Sequence, residues 1–573
     1  MFLGIDVGGT HTDAVLLRVT GDAFSVVAGV KVETNHADVV ASVRAALDAV
    51  LVNNDPAAVA RFTLSTTLTT NALAQGRFDD ALLVLVPGPG INVAEWAGDL
   101  PVHVVSGAMD HRGRETQPLD DAELGELQEK VRNAGVKTVA VAGKFAIRNP
   151  RQENSIAQAL RDNTSPDFVC LSHNLSGKLN FPRRSVAAFY NAALWRLHDA
   201  FADAVLLASE PVGNGREPML LMAHGGSVPL GASRGNAVEA ANSGPAASVL
   251  GILALEGQNV RGEETVLFCD IGGSTTDLAL MAKGSPVTAR EGLTLGGRRT
   301  SVPGLATLSV PIGGDSPVVV EASGAVSLGA KRAGPCLAMG GPEPTLTDAL
   351  NVLGHAAWGD AGASLHGMRE VASAMERSGG GRVGPEDAAR IVAAFAGLRI
   401  RAAADDFVAG INARPVYTVA QLLHGATLVP DRICAVGGAG ASMAATLEEA
   451  FGLPVAVPGH AAFANAIGAA LARVSVFASL YADTARRVAN LLPQGETLTV
   501  SSAYTLEDAV ADVKSTLRAR MRELEPGAEK FPVETVESDS FAMHDEYGAR
   551  AGRTIRVLCR VKPGLITEDR SVA

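Results

Sequence analysis

Residues 4–13 read GIDVGGTHTD, and residues 269–277 read CDIGGSTTD. Laid over each other, Asp6 meets Asp270, Gly8 and Gly9 meet Gly272 and Gly273, Thr12 meets Thr276, and Asp13 meets Asp277, with Thr10 answered by Ser274. Two glycines at a hairpin turn accept positive φ and carry no Cβ, so a ligand can come up to the bare backbone. The N–H groups of such a turn form an anion-binding nest, and Thr10, Thr12, Ser274, Thr275 and Thr276 put hydroxyl donors beside it. Asp6 and Asp270, at the ends of apolar strands, suit a magnesium ion that keeps most of its waters. Asp13 and Asp277 follow the turn and could orient a water or a transferring group. One Gly-Gly hairpin would read as an ordinary turn whose polar residues satisfy local backbone. Its repetition favours chemistry.

Two such hairpins facing one another can grip a polyphosphate from both sides. In this the sequence resembles the superfamily of actin, hexokinase and the heat-shock ATPases, whose two similar lobes clasp ATP between paired phosphate hairpins. The resemblance implies an α/β fold of duplicated, ribonuclease H-like lobes. It also implies an adenosine-side turn opening a helix. Residues 435–442, AVGGAGAS, fit that turn in type and in order, with Gly437, Gly438, Gly440 and Ser442 against the nucleotide. A tight strand-to-helix packing turn is the competing explanation of that stretch.

Further blocks resemble one branch, the ATP-dependent hydantoinase/oxoprolinase family. They are TTLTTNAL (66–73), LMAHGGSVPL (221–230), SGPAASVLG (243–251) and GGPEPTLTDALNVLG (340–354), in the family's order. The resemblance implies ATP and Mg2+, and the opening of a cyclic amide such as a hydantoin or 5-oxoproline through a phosphorylated intermediate. It makes Asp6, Asp13, Asp270 and Asp277 the catalytic candidates and Asp6 and Asp270 the metal ligands. Thr66, Thr67, Asn71, Ser243 and Asp348 become substrate candidates. For three of these a local role competes: Asn71 and Asp348 as helix caps, and Ser243 as the N-cap of a helix over 244–255. Sister branches carboxylate ketones, and the same fold serves reactivating chaperone ATPases and small-molecule kinases, so these three activities compete with ring opening. A second subunit of the hydantoinase B type, or self-association, is an expected partnership. The chain also departs from the family. Leu64-Ser65 stands where His-Gly is usual. In ATLSVPIGGDS (306–316), Ala306 replaces an Asp, Leu308 a His and Asp315 a Gly. The ATP half looks intact and the substrate half altered.

The elements that must hold these residues follow from periodicity. FLGIDV and TDAVLLRV flank the first Gly-Gly turn, and SVVAGVKV (25–32) offers a third strand. Residues 36–53, 123–135, 187–205 and 505–524 show helical spacing, with 81–86, 138–145 and 554–561 as strands between. Such alternation over 573 residues means α/β in several domains, expected at 1–185, 186–475 and a small α+β unit at 476–573. A net charge of −12 without a basic run argues against nucleic acid. Five scattered cysteines with no C-x-x-C pair read as reduced core thiols. The opening strand pattern, without a charged n-region and apolar h-region, leads us to expect no signal peptide, and the apolar run 464–482 carries Asn465 and Arg473, so it reads as a buried helix rather than a membrane span. The expectation is a cytoplasmic protein.

Overall fold

The computed structural model describes residues 1–21, 23–35, 38–212, 215–257, 264–378, 382–413, 427–493, 495–544, 547 and 550–569. Two sheets carry the repeated phrases, and they are built alike. In the first, Phe2–Val7 lies at the centre, hairpinned to His11–Thr20, which pairs with Ala23–Glu33. On its other side come Arg61–Thr66 and then Met219–Leu221, both parallel to it, with Ser227–Pro229 at the edge. In the second, Thr265–Ile271 is hairpinned to Thr276–Ala282, which pairs with Thr307–Val310. Arg432–Val436 and Val455–Ala456 follow in parallel on the other side. The same order and the same strand senses appear twice, as expected of duplicated actin-like lobes. Continuous apolar runs such as FLGIDV and RICAV suit strands covered on both faces, and both are buried along nearly their whole length.

Two helices pack between these sheets, Ser243–Glu256 and Ala464–Leu471. One apolar core joins Val15 and Leu17 of the first sheet to Phe268 and Cys434 of the second, through Ala247, Leu250, Ala466 and Ile467 of the helices. Small residues make the layer thin enough to join both sheets. A methyl at Gly251 would lie 1.9 Å from Ala464 O, and one at Gly468 would lie 2.0 Å from Ala247 O. The shorter helix presses equally hard on the first sheet, where a Cβ at Gly4 would meet Ala466 O at 1.9 Å. Close packing of this kind tolerates no added volume.

The rest frames these lobes. A four-stranded parallel sheet (Phe168–Leu171, Thr138–Gly143, Ala81–Val86, Val102–Val104) is covered by the helix Phe181–Ser209, which contains the expected 187–205. The helix expected over 36–53 runs Val39–Leu51, with residues 36 and 37 outside the described residues. The segment 464–482 is not one helix. It is helical only to Leu471, and the β-branched and aromatic run after Arg473 becomes the strand Phe477–Asp483. That strand enters a five-stranded antiparallel sheet with Val488–Leu492, Glu496–Thr499, Val533–His544 and Arg550–Val561. The helix Leu506–Leu524 closes it, opened by a Thr505–Asp508 capping box and buried through Ala509, Val513, Leu517 and Met521. All five cysteines are free and buried. Among the described residues, no single helix is long and apolar enough to cross a membrane.

Candidate functional site

The two Gly-Gly turns close with the same bond. Gly8 N donates to His11 O at 3.1 Å, and Gly272 N donates to Thr275 O at 2.9 Å. Register follows suit, with Asp6 opposite Asp13 and Asp270 opposite Asp277. Cross-strand partners share a face of the sheet, so each hairpin presents a pair of carboxylates.

The two pairs meet at one amide. Asn465 Nδ2 donates to Asp6 Oδ2 at 3.2 Å and to Asp270 Oδ2 at 3.1 Å. Asn465 is the second residue of the helix that Gly4, Gly251 and Gly468 admit between the sheets. Each aspartate has its own hydroxyl as well. Ser65 Oγ donates to Asp6 Oδ1 at 2.5 Å, and Ser248 Oγ donates to Asp270 Oδ2 while lying 3.0 Å from Asn465 Oδ1. Burial, with added repulsion from Asp13 and Asp270, pushes the Asp6 carboxyl up to about 7 against the pull of the Ser65 and Asn465 bonds. Burial and the charge of Asp270 likewise push Asp277 up to about 7. Asp13 is also raised by burial, but Lys31 Nζ, 2.7 Å from its Oδ2, pulls the other way.

The remaining predicted residues divide. Gly9 and Thr275 are exposed at the tips, with Gly8, Thr10, Gly272, Gly273 and Ser274 half-buried beside them. Thr12 and Thr276 are fully buried and their hydroxyls are spent inside. Thr12 shares a bond with Thr34 Oγ1 at 3.0 Å, and Thr276 donates to Ile312 O at 2.7 Å. The 435–442 turn abuts the second hairpin. Gly437, at φ +86°, has no room for a side chain because a Cβ would meet Asp270 Oδ1 at 2.3 Å. Gly438 faces open space, and Gly440 and Ser442 lie in the first turn of the helix Gly440–Phe451. Thr66 ends the strand beside the first hairpin, and Thr67 precedes the helix Leu68–Ala74. Thr67 Oγ1 donates to Val7 O at 3.2 Å and accepts from Asn71 Nδ2 at 3.2 Å. Ser243 is not a cap: that position falls on Asn242, in the left-handed region at φ 65°. Ser243 Oγ instead donates to Thr66 O at 2.9 Å, tying the helix start to the first sheet. Asp348 is fully buried, accepting from Thr345 N, Leu337 N, Ala338 N and Ser364 Oγ, and it does the work of a capping box. Among the described residues it makes no hydrogen bond to either hairpin.

The segment 306–316 lies against the second hairpin. Thr307–Val310 edges the second hairpin strand, pairing Leu308 with Leu278, and Ala306 is buried. The following loop lies on the hairpin tip, where Gly314 N donates to Gly272 O at 2.9 Å and Asp315 N to Gly273 O at 2.7 Å. Sequence reasoning missed Asn465 and Ser248 as site residues. A lone amide in the apolar run ANAIGAAL was the available signal, since an uncompensated polar group is costly in a core.

As for a cation, two hard carboxylate oxygens held at one amide, with no cation among the groups that perturb Asp6 or Asp277, fit magnesium. Among the described residues no three His, Cys, Asp or Glu side chains group as a metal site. Magnesium needs only one or two carboxylates when phosphates and waters supply the rest.

A duplicated sheet with facing Gly-Gly hairpins defines the actin-like ATPase fold. Within that class, the hydantoinase/oxoprolinase N-terminal region matches residues 2–164 and Hydantoinase/oxoprolinase matches residues 184–476. The chain belongs to the hydantoinase/oxoprolinase family. It is 28% identical over 280 residues to the caprolactamase subunit alpha of Pseudomonas jessenii, covering 48% of this chain and 40% of that protein. It is 27% identical over 262 residues to the acetophenone carboxylase gamma subunit of Aromatoleum aromaticum, covering 43% and 35% respectively. The chain thus matches well under half the length of these two relatives. In fold it is similar to the ATP-dependent caprolactamase from Pseudomonas jessenii, with TM-score 0.68, 20% identity, and 97% and 87% of the two chains covered. Nucleotide-free acetone carboxylase is similar too, with TM-score 0.66, 17% identity, and 99% and 88% covered.

Proposed function

We propose that this protein is an ATP-dependent hydrolase that opens a small cyclic amide. What carries the reading is the convergence of Asp6 and Asp270 on Asn465, which sets two phosphate-type hairpins face to face at one point. In this role the N–H groups of residues 9–10 and 273–274 hold the phosphates from opposite sides, and Gly437–Gly438 leave bare backbone for the adenosine. Magnesium held by Asp6 and Asp270 would supply charge neutralisation on the phosphates. The amide oxygen attacks the terminal phosphorus, ADP leaves, and an O-phosphorylated imidate forms. Water then adds to the activated carbon and the ring C–N bond breaks, leaving an acyl phosphate and an amine that takes up the proton; a second water cleaves the acyl phosphate to give the ring-opened acid and free phosphate. The hairpins' task is placement and charge stabilisation, which make up most of the catalysis in phosphoryl transfer.

Two relatives are named as subunits, alpha and gamma, which supports a working complex with a second chain of the hydantoinase B type. The carboxylase relative supports a second reading, in which the phosphorylated oxygen belongs to a ketone enolate. Incubation with magnesium–ATP and hydantoins, 5-oxoproline or ε-caprolactam, or with acetone or acetophenone plus bicarbonate, separates the two. Ring-opened product with stoichiometric phosphate is expected. Phosphate release stimulated only by ketone and bicarbonate would replace the hydrolase with the carboxylase, and a stable phosphorylated product would replace both with a kinase.

A further inference from the structure

Asp315 lies on the tip of the second hairpin, and its carboxylate is not idle. Its backbone is pinned to the second hairpin by the bond from Asp315 N to Gly273 O. A methyl placed on Gly273 would lie 2.7 Å from Asp315 Oδ2 and 3.7 Å from Thr10 Oγ1. The carboxylate, the second hairpin tip and the first hairpin's Thr10 therefore meet at one point. Arg332 Nε donates to Asp315 Oδ2 at 2.8 Å, and the arginine side chain keeps 30% of its surface exposed. Its charge is close enough to the first hairpin to help lower the proton affinity of His11, after burial and Lys31. Only Nε is used: among the described residues, Nη1 and Nη2 of Arg332 make no hydrogen bond. The result is a guanidinium steered by a carboxylate to the gap between two anion-binding turns, with the two donors best suited to a phosphate left free.

We propose that Arg332 is the residue that reads the terminal phosphate of a nucleoside triphosphate, with Asp315 as its positioning residue. The role rests on the nucleotide reading above and adds to it the group that tells triphosphate from diphosphate. Two parallel N–H···O bonds from the Nη pair reach two oxygens of the terminal phosphoryl, a contact that a diphosphate lacks. Asp315 offsets the arginine's charge while the cleft is empty and fixes its Nε edge, so the free edge needs no reorganisation when the phosphate arrives.

The test compares equilibrium binding of magnesium–ATP and magnesium–ADP to the full chain and to R332Q, R332K, D315A and D315N. R332Q is expected to weaken ATP about 10- to 100-fold, the usual range for a charged hydrogen-bond pair, and to leave ADP unchanged. R332K keeps the charge without the fork and falls between. D315A lowers the ATP/ADP ratio in the same direction by less, and D315N, which retains an acceptor for Nε, restores most of it. If R332Q weakens ATP and ADP alike, or neither, Arg332 does not read the terminal phosphate. Should R332Q fail to fold, an unchanged ATP/ADP ratio in R332K overturns the role instead. Wild-type protein that binds neither nucleotide overturns the nucleotide reading and this role together, whereas wild-type binding with an insensitive Arg332 overturns the role alone.

Discussion

The two hairpins share a register and a turn bond, yet their surroundings differ. The first is flanked by the long strand Ala23–Glu33, which supplies Lys31 to Asp13, and the residue after that strand, Thr34, bonds Thr12. The second is flanked by the short strand Thr307–Val310, followed by Ile312, whose carbonyl accepts from Thr276. No cation counters the burial of Asp277, which is pushed up to about 7 with Asp270 adding to the shift and a bond with Ser309 opposing it. Asp13, by contrast, has a lysine working against its burial. Duplication kept the backbone and let the flanking strand decide the charge. The half with less support for its carboxylate is also the half carrying Asp315 and Arg332.

The comparison can be broken at several strengths. Gly468→Val should do most, because its side chain would run into Ala247 O and Gly251 N and force the helix layer apart. A loss of about 3–5 kcal/mol is expected in chemical unfolding, with both hairpins losing alignment together. Asp6→Asn and Asp270→Asn come next. If the hairpins act as equal jaws, each lowers magnesium-dependent ATP turnover by about 100-fold, whereas a large effect from one alone would show that a single hairpin does the work. Asn465→Ala removes the shared amide and should cost roughly tenfold in turnover, with stability affected less than by the glycine change.

The pH dependence sharpens the difference between the halves. A carboxyl raised from 3.8 to about 7 is protonated in the folded chain where the unfolded chain has already released its proton. Stability contributed by Asp277 is therefore full at low pH, falls as pH rises between those values, and is flat above about 7. The stability difference between wild type and Asp277→Asn, followed by thermal melts in metal-free buffer, should widen through that window. Lys31→Met should give the first hairpin the same behaviour by releasing Asp13 from its partner. This is the smallest effect, about 1 kcal/mol or less, because the lysine side chain is 34% exposed and water screens the pair.

What could be read from the chain alone was local. The Gly-Gly turns with their flanking alternation announced both hairpins, and the helix over 505–524 was visible in its period. The competing local explanations of Asp348 and Ser243 resolved in opposite ways, one a true capping residue and the other not. A cap is decided by the φ of its neighbour, here Asn242 at 65°, which composition does not reveal. The run 464–482 misled because apolar character does not distinguish a buried helix from a helix followed by a buried strand.

Two like hairpins, each ending in Gly-Gly between aspartates, and a duplicated α/β ATPase fold around them were written into the order of residues, because turn chemistry and strand period are properties of neighbours in the chain. The meeting of Asp6 and Asp270 at Asn465 was not. It depends on three glycines far apart in sequence admitting one helix between two sheets. Folding alone likewise brings Arg332 and Asp315 to the gap between the tips. Contacts of this kind are set by how closely backbones can approach, and no pattern within a single element encodes that distance.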